Sequence, residues 1–267
     1  MLGKLIGYET KAFGRIMVPL YIAMLAFALF TGLSFRFVPE EIMQGLPGIL
    51  IGMLYGILMM AIIVMTCVLA VTRFYKNLLG QEGYLMFSLP TDTATLIVSK
   101  VISVLIWTCL STMVAFMAIA LSALGAGGIN PFREILQFFK HPEVLQHLGE
   151  VSGVLILSAV TIIVGTAASI IRIYAGIAIG HQFNDHRILF SIVALIAFNI
   201  IGTILSTLLA TAGVYSGVFD SLSRVFEADT VQGICIAQVG MIGFLLFQVA
   251  LFGVLTWVLL DRRLNLE

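Results

Sequence analysis

Six long apolar runs separated by short polar segments organise the chain: residues 16–35, 46–71, 101–124, 151–171, 188–212 and 234–260. Each is at least about 20 residues long, which at roughly 1.5 Å per residue crosses a hydrocarbon core of roughly 30 Å. With these bounds, no run contains an Asp, Glu, Lys, Arg or His. The pattern predicts an all-α membrane protein, a single transmembrane domain over residues 1–267 with six transmembrane helices.

The connecting segments carry structure of their own. Over residues 1–15, Leu2, Leu5, Ile6, Ala12 and Phe13 share one side of a helix, and Lys4, Lys11 and Arg15 the other. That is the pattern of an interfacial amphipathic helix with its cations toward headgroups. The basic leader and the pair Ala26-x-Ala28 loosely resemble a signal peptide. The apolar run continues past that pair to Phe35, however, so the first span is expected to stay. Asn130-Pro131 opens a short helix carrying Ile135, Leu136 and Phe139, and residues 213–233 read as short pieces with Phe219, Leu222 and Phe226.

Charge sets the orientation. With the N-terminus inside, ten cations lie on the cytoplasmic side: Lys4, Lys11, Arg15, Arg73, Lys76, Lys100, Arg172, Arg187, Arg262 and Arg263. Four lie outside, Arg36, Arg133, Lys140 and Arg224, which accounts for all 14. Both termini are therefore expected in the cytoplasm. Arg172 falls just past the fourth run, where snorkelling to the interface costs little. The composition agrees with a membrane protein: 60% hydrophobic, 10% charged, mean hydropathy +1.11.

Several chemistries are excluded or weakened. Spans without ionisable residues argue against a carrier driven by its own ion site. Glu40-Glu41 starts like the EExxxR signature of CAAX-type membrane proteases, but Gly45 stands where the Arg belongs. His181, Asp185 and His186 lack further ligands at metal-binding spacing, and so do His141 and His147. Cys67 and Cys109 lie within spans and Cys235 at the end of the last, which indicates no disulfide framework. No GxxxxGK phosphate loop occurs. The chain is read as non-enzymatic, binding no cofactor, metal or nucleic acid itself.

Two uncharged patterns remain within the spans. Gly48, Gly52 and Gly56 form consecutive small-xxx-small steps for helix packing, either within the chain or against another. Asn199, Thr203 and Thr207 recur at i, i+4 and i+8, and Gln238 and Gln248 lie in the last span. Both sets serve interhelical hydrogen bonding or line a substrate path, for which Asn199, Thr203, Thr207 and Gln248 are the candidates.

The polar island from Arg73 to Lys100 is the richest stretch. After Gly80-Gln81-Glu82-Gly83 it carries Tyr84, Leu85, Met86, Phe87 and Leu89 in near-unbroken succession. Pro90 then stops a helix, and Thr91, Asp92 or Thr93 can cap the third span. So apolar a cluster at the aqueous face needs a cover, from its own bundle, from lipid or from a partner.

Glu82-Gly83-x-Leu85, Ser88-Leu89-Pro90 and Lys100, within FYKNLLGQEGYLMFSLP, resemble the coupling-helix loop of permease subunits of type-2 ABC exporters, in the small six-span form of Gram-positive bacteria. The resemblance also covers the architecture, with the interfacial N-terminal helix and six spans. It departs in detail, since the family often has Thr before the Pro and a basic residue shortly after it, where Leu89 and Asp92 stand. What it implies is a permease in the bacterial plasma membrane that exports an amphiphile (peptide, lipid or drug-like) with the power supplied elsewhere. A cytoplasmic coupling helix between spans two and three would dock an ATPase through Glu82, Gly83, Tyr84, Leu85, Met86, Phe87, Leu89 and Pro90. The implied partners are two copies of an ABC ATPase carrying ATP and Mg, a second six-span permease and the lipid bilayer. A non-transporting immunity or sensor component that binds a partner through the same loop is the alternative.

Overall fold

A computed structural model describes residues 2–80, 91–126, 133, 136–137, 140, 148–183, 186–218, 221, 223–225 and 230–262, without the side chains of residues 40, 126, 148, 150, 210 and 262. The described residues are helical, with no strand among them. In order they form α1 (Leu2–Phe37), α2 (Glu40–Met43), α3 (Leu46–Phe74), a π-helical turn (Tyr75–Leu79), α4 (Thr93–Ala126), α5 (Leu148–Gly180), α6 (Arg187–Tyr215) and α7 (Thr230–Arg262). Six of these helices are long and apolar enough to cross a membrane, as a multi-pass membrane protein requires.

Most helices outrun the apolar runs that predict them. The residues before the first span are helical, but α1 continues through them without a break for 36 residues. Its buried positions, Glu9, Phe13, Met17, Tyr21, Met24, Ala28 and Thr31, recur every three or four residues and make one continuous packing face. Lys4, Lys11 and Arg15 lie on the opposite side and are exposed. α5 likewise passes Ile171 and ends at Gly180, because Ile173–Ile179 supplies two more apolar turns. The candidate fourth span therefore includes Arg172. A single charge ended the apolar run but not the helix.

The chain divides into two compact units, residues 1–72 with 102–146, and residues 73–101 with 147–267. In the first, α1, α3 and α4 meet through hydroxyls. Tyr21 Oη lies 2.7 Å from Ser111 Oγ, which lies 3.2 Å from Thr66 Oγ1, so one hydrogen-bonded chain links three helices. Trp107 fills the space beside it, stacked on Phe13 at 6.2 Å and tilted against Tyr21 at 6.0 Å. Further along, Gly32 of α1 and Gly125 of α4 bring the two backbones together.

In the second unit α5 packs against both α6 and α7. Phe74, at the end of α3, stacks on Tyr174 with ring centroids 3.9 Å apart. Asp92 occupies the N-cap position of α4, its carbonyl accepting from Thr95 N at 2.9 Å, and Thr93 Oγ1 donates to Asp261 Oδ1 at 3.1 Å. The start of α4 is thus tied to the end of α7. Between α5 and α6, stacked Phe183 and Phe190 brace the connection at 4.0 Å.

Candidate functional site

Arg172 organises the polar groups of the second unit. From α5 its guanidinium donates to Asn199 Oδ1 of α6 at 3.2 Å and to Gln248 Oε1 of α7. It also lies 5.6 Å from the ring centroid of Phe252. Helix geometry explains the meeting: Arg172 is about 12 Å from the end of α5 at Gly180, and Asn199 about 18 Å from the start of α6, at about 1.5 Å per residue. A charge at a span centre costs about 2.5–3.5 kcal/mol on insertion scales. Hydrogen bonds to a charged group contribute about 1.5–3 kcal/mol each, so two amides and an aromatic face are of the right size to hold it.

The four substrate-path candidates divide on this arrangement. Asn199 and Gln248 converge on Arg172, and Gln248 is buried. Thr203 and Thr207 instead turn their hydroxyls onto their own helix, donating to Asn199 O and Thr203 O at 2.9 and 2.8 Å. Gln238 donates to Ser158 Oγ at 2.7 Å and joins α7 to α5. The residue missed from sequence is Arg172 itself. The available signal was a cation followed by further apolar helix, facing amides at comparable depth in two later spans.

Beside Arg172 lies a cavity of about 470 Å³, lined by α6 and α7 residues including Phe198, Gly202, Phe244 and Leu251. Among the described residues its polar lining is confined to Arg172 and Gln248. An apolar hollow with a few convergent polar groups is the usual form of a small-molecule site, typically about 300–1,000 Å³.

The docking candidates Glu82, Gly83, Tyr84, Leu85, Met86, Phe87, Leu89 and Pro90 lie outside the described residues. Their flanks are described. The π-helical turn Tyr75–Leu79, with Asn77, Leu78 and Leu79 buried, leads into that stretch, and α4 leaves it at Thr93. Lys100 is buried on α4 and engages a partner. Of the packing glycines, Gly48 sits against the Met43 backbone, whereas a Cβ added at Gly52 or Gly56 would meet nothing within 4 Å. Among the described residues no group of three or more His, Cys, Asp and Glu could hold a metal.

His181, just past α5, is buried against the edge of Tyr75, with ring centroids 6.0 Å apart. Its Nδ1 has no hydrogen-bond partner among the described residues. Burial, reinforced by the charge of Arg187, holds its pKa below the ordinary 6.5. The unfolded chain therefore takes up this proton at higher pH than the folded one. The favourable contribution is complete above pH 6.5 and is lost as pH falls through the lowered folded value. Stability should decline on acidification through that window, and His181→Gln should flatten the decline. An unchanged slope of stability against pH in the variant would rule this out.

Compared with known proteins, the chain matches no family model, no curated protein and no solved structure.

Proposed function

We propose that this chain is the membrane subunit of an ATP-driven exporter in the bacterial plasma membrane, with both termini cytoplasmic. It pairs with a second six-span chain, identical or related, and with two separate ATPase subunits that carry ATP and Mg. The observation that carries the reading is the apolar run Tyr84–Leu89 with its Glu82-Gly83 and Leu89-Pro90 frame, set between two helices long enough to span. An element joined at both ends to membrane helices can pass a partner's motion to them. The π turn at Tyr75–Leu79 supports this role, since such turns recur at functional sites. Residues 1–15 serve as the interfacial stretch at the cytoplasmic headgroups, with Lys4, Lys11 and Arg15 on their exposed side.

Affinity purification in mild detergent, with mass spectrometry of everything that stays bound, tests the reading. An ATPase subunit should co-elute with the wild type and be lost when Leu85 and Phe87 are both replaced by Asp. An intact complex that contains no ATPase would remove the exporter reading, whereas an ATPase retained by the double variant together with transport would remove this loop as its docking site. The first of those results would favour an immunity or sensor component.

A further inference from the structure

We infer that the cavity between α6 and α7 binds an amphiphile from the bilayer, a single apolar chain with an anionic head, and that Arg172 receives the head. Three observations carry this. The cavity walls are apolar and aromatic (Phe198, Leu205, Phe244, Leu251), and its volume of about 470 Å³ suits a small molecule. Among the described residues Arg172 is the only charged group lining it. The hydrogen-bond partners of that cation are both neutral amides, and its Nε is buried without a partner among the described residues.

Amide dipoles solvate a guanidinium but leave its charge unbalanced, and an unbalanced charge in hydrocarbon is costly. An anionic head corrects the balance, since carboxylate and phosphate accept the paired N–H bonds a guanidinium offers. A soluble anion would leave the apolar walls unused, and an uncharged chain would leave the cation as it was. Only a molecule with both parts answers both features. Binding rests on this geometry alone, whereas its role as exported cargo rests on the exporter reading.

The test uses the full chain in nanodiscs of zwitterionic lipid and a palmitic acid probe carrying a photoreactive diazirine in its chain. Labelling should map to α6 and α7, be displaced by unlabelled palmitate, and resist displacement by its methyl ester. Arg172→Gln should lower labelling about tenfold, the equivalent of about 1.4 kcal/mol in affinity. Gly202→Leu should do the same by filling the cavity while keeping the charge. A Cβ at Gly202 meets nothing within 4 Å, so this variant should melt at the wild-type temperature. Equal displacement by acid and ester, or undiminished labelling in Arg172→Gln, would overturn the site. Carboxylate-dependent labelling in a chain that recruits no ATPase would overturn only the exporter reading. Its absence from a chain that does recruit one would overturn only the site.

Discussion

Gln248→Leu should destabilise the folded bundle by about 2–3 kcal/mol, and adding Arg172→Met should restore most of that loss. The first substitution keeps the charge and removes an acceptor that is buried and bonded to it. Leaving a half-buried charged donor without its partner costs the desolvation that the bond had offset. Asn199 remains, yet a single amide must then serve a cation that two had served. Arg172→Met alone should also destabilise, by leaving the Gln248 oxygen without its donor. Replacing both partners with apolar groups of similar shape removes the charge and the unmet acceptor together, a change that is often nearly neutral. The double-mutant cycle, read from unfolding midpoints in detergent, should therefore give a coupling of at least about 1 kcal/mol in the rescuing direction. Additive losses would show that Arg172 and Gln248 do not act as a unit.

That cluster also marks how far the sequence could be read. The six spans were legible because a run of about 20 apolar residues has few other stable forms. Their ends were not, because composition changes before the helix does. Arg172 closed the fourth apolar run on paper, yet backbone hydrogen bonding carries α5 on to Gly180. One boundary drawn at a charge thus placed Arg172 at a helix end and made the spans look free of charge, although the candidate fourth span includes it. Asn199 and Gln248 were visible as polar positions, but their common partner depends on helix rotation and depth, which periodicity alone does not give. Thr203 and Thr207 share the Asn199 stripe and still bond only to their own helix. A polar stripe locates donors without saying which of them finds an interhelical partner.

Glycine spacing has the same blind spot, and it leads to the largest expected effect on the first unit. Gly32→Leu should destabilise by about 3 kcal/mol, at the upper end of ordinary overpacking, whereas Gly56→Leu should stay within about 0.5 kcal/mol. A Cβ at Gly32 would lie 2.7 Å from Ser122 O, 2.8 Å from Gly125 Cα and 3.2 Å from Leu121 O. All three are backbone atoms, so no side chain can swing aside and α1 must move away from α4. That motion also strains the Tyr21–Ser111 hydrogen bond and the Phe13–Trp107 stack on the same face of α1. Gly125 is constrained in return, its added Cβ falling 2.7 Å from Gly32 Cα. At Gly56 an added Cβ meets nothing within 4 Å, although Gly52-xxx-Gly56 carries the glycine spacing. Neither Gly32 nor Gly125 has a second glycine four residues away to announce it, because each supplies one side of a crossing between two different helices. Thermal or denaturant unfolding of the two variants in one detergent decides the matter. Equal shifts would mean that α1 and α4 do not cross at Gly32 and Gly125.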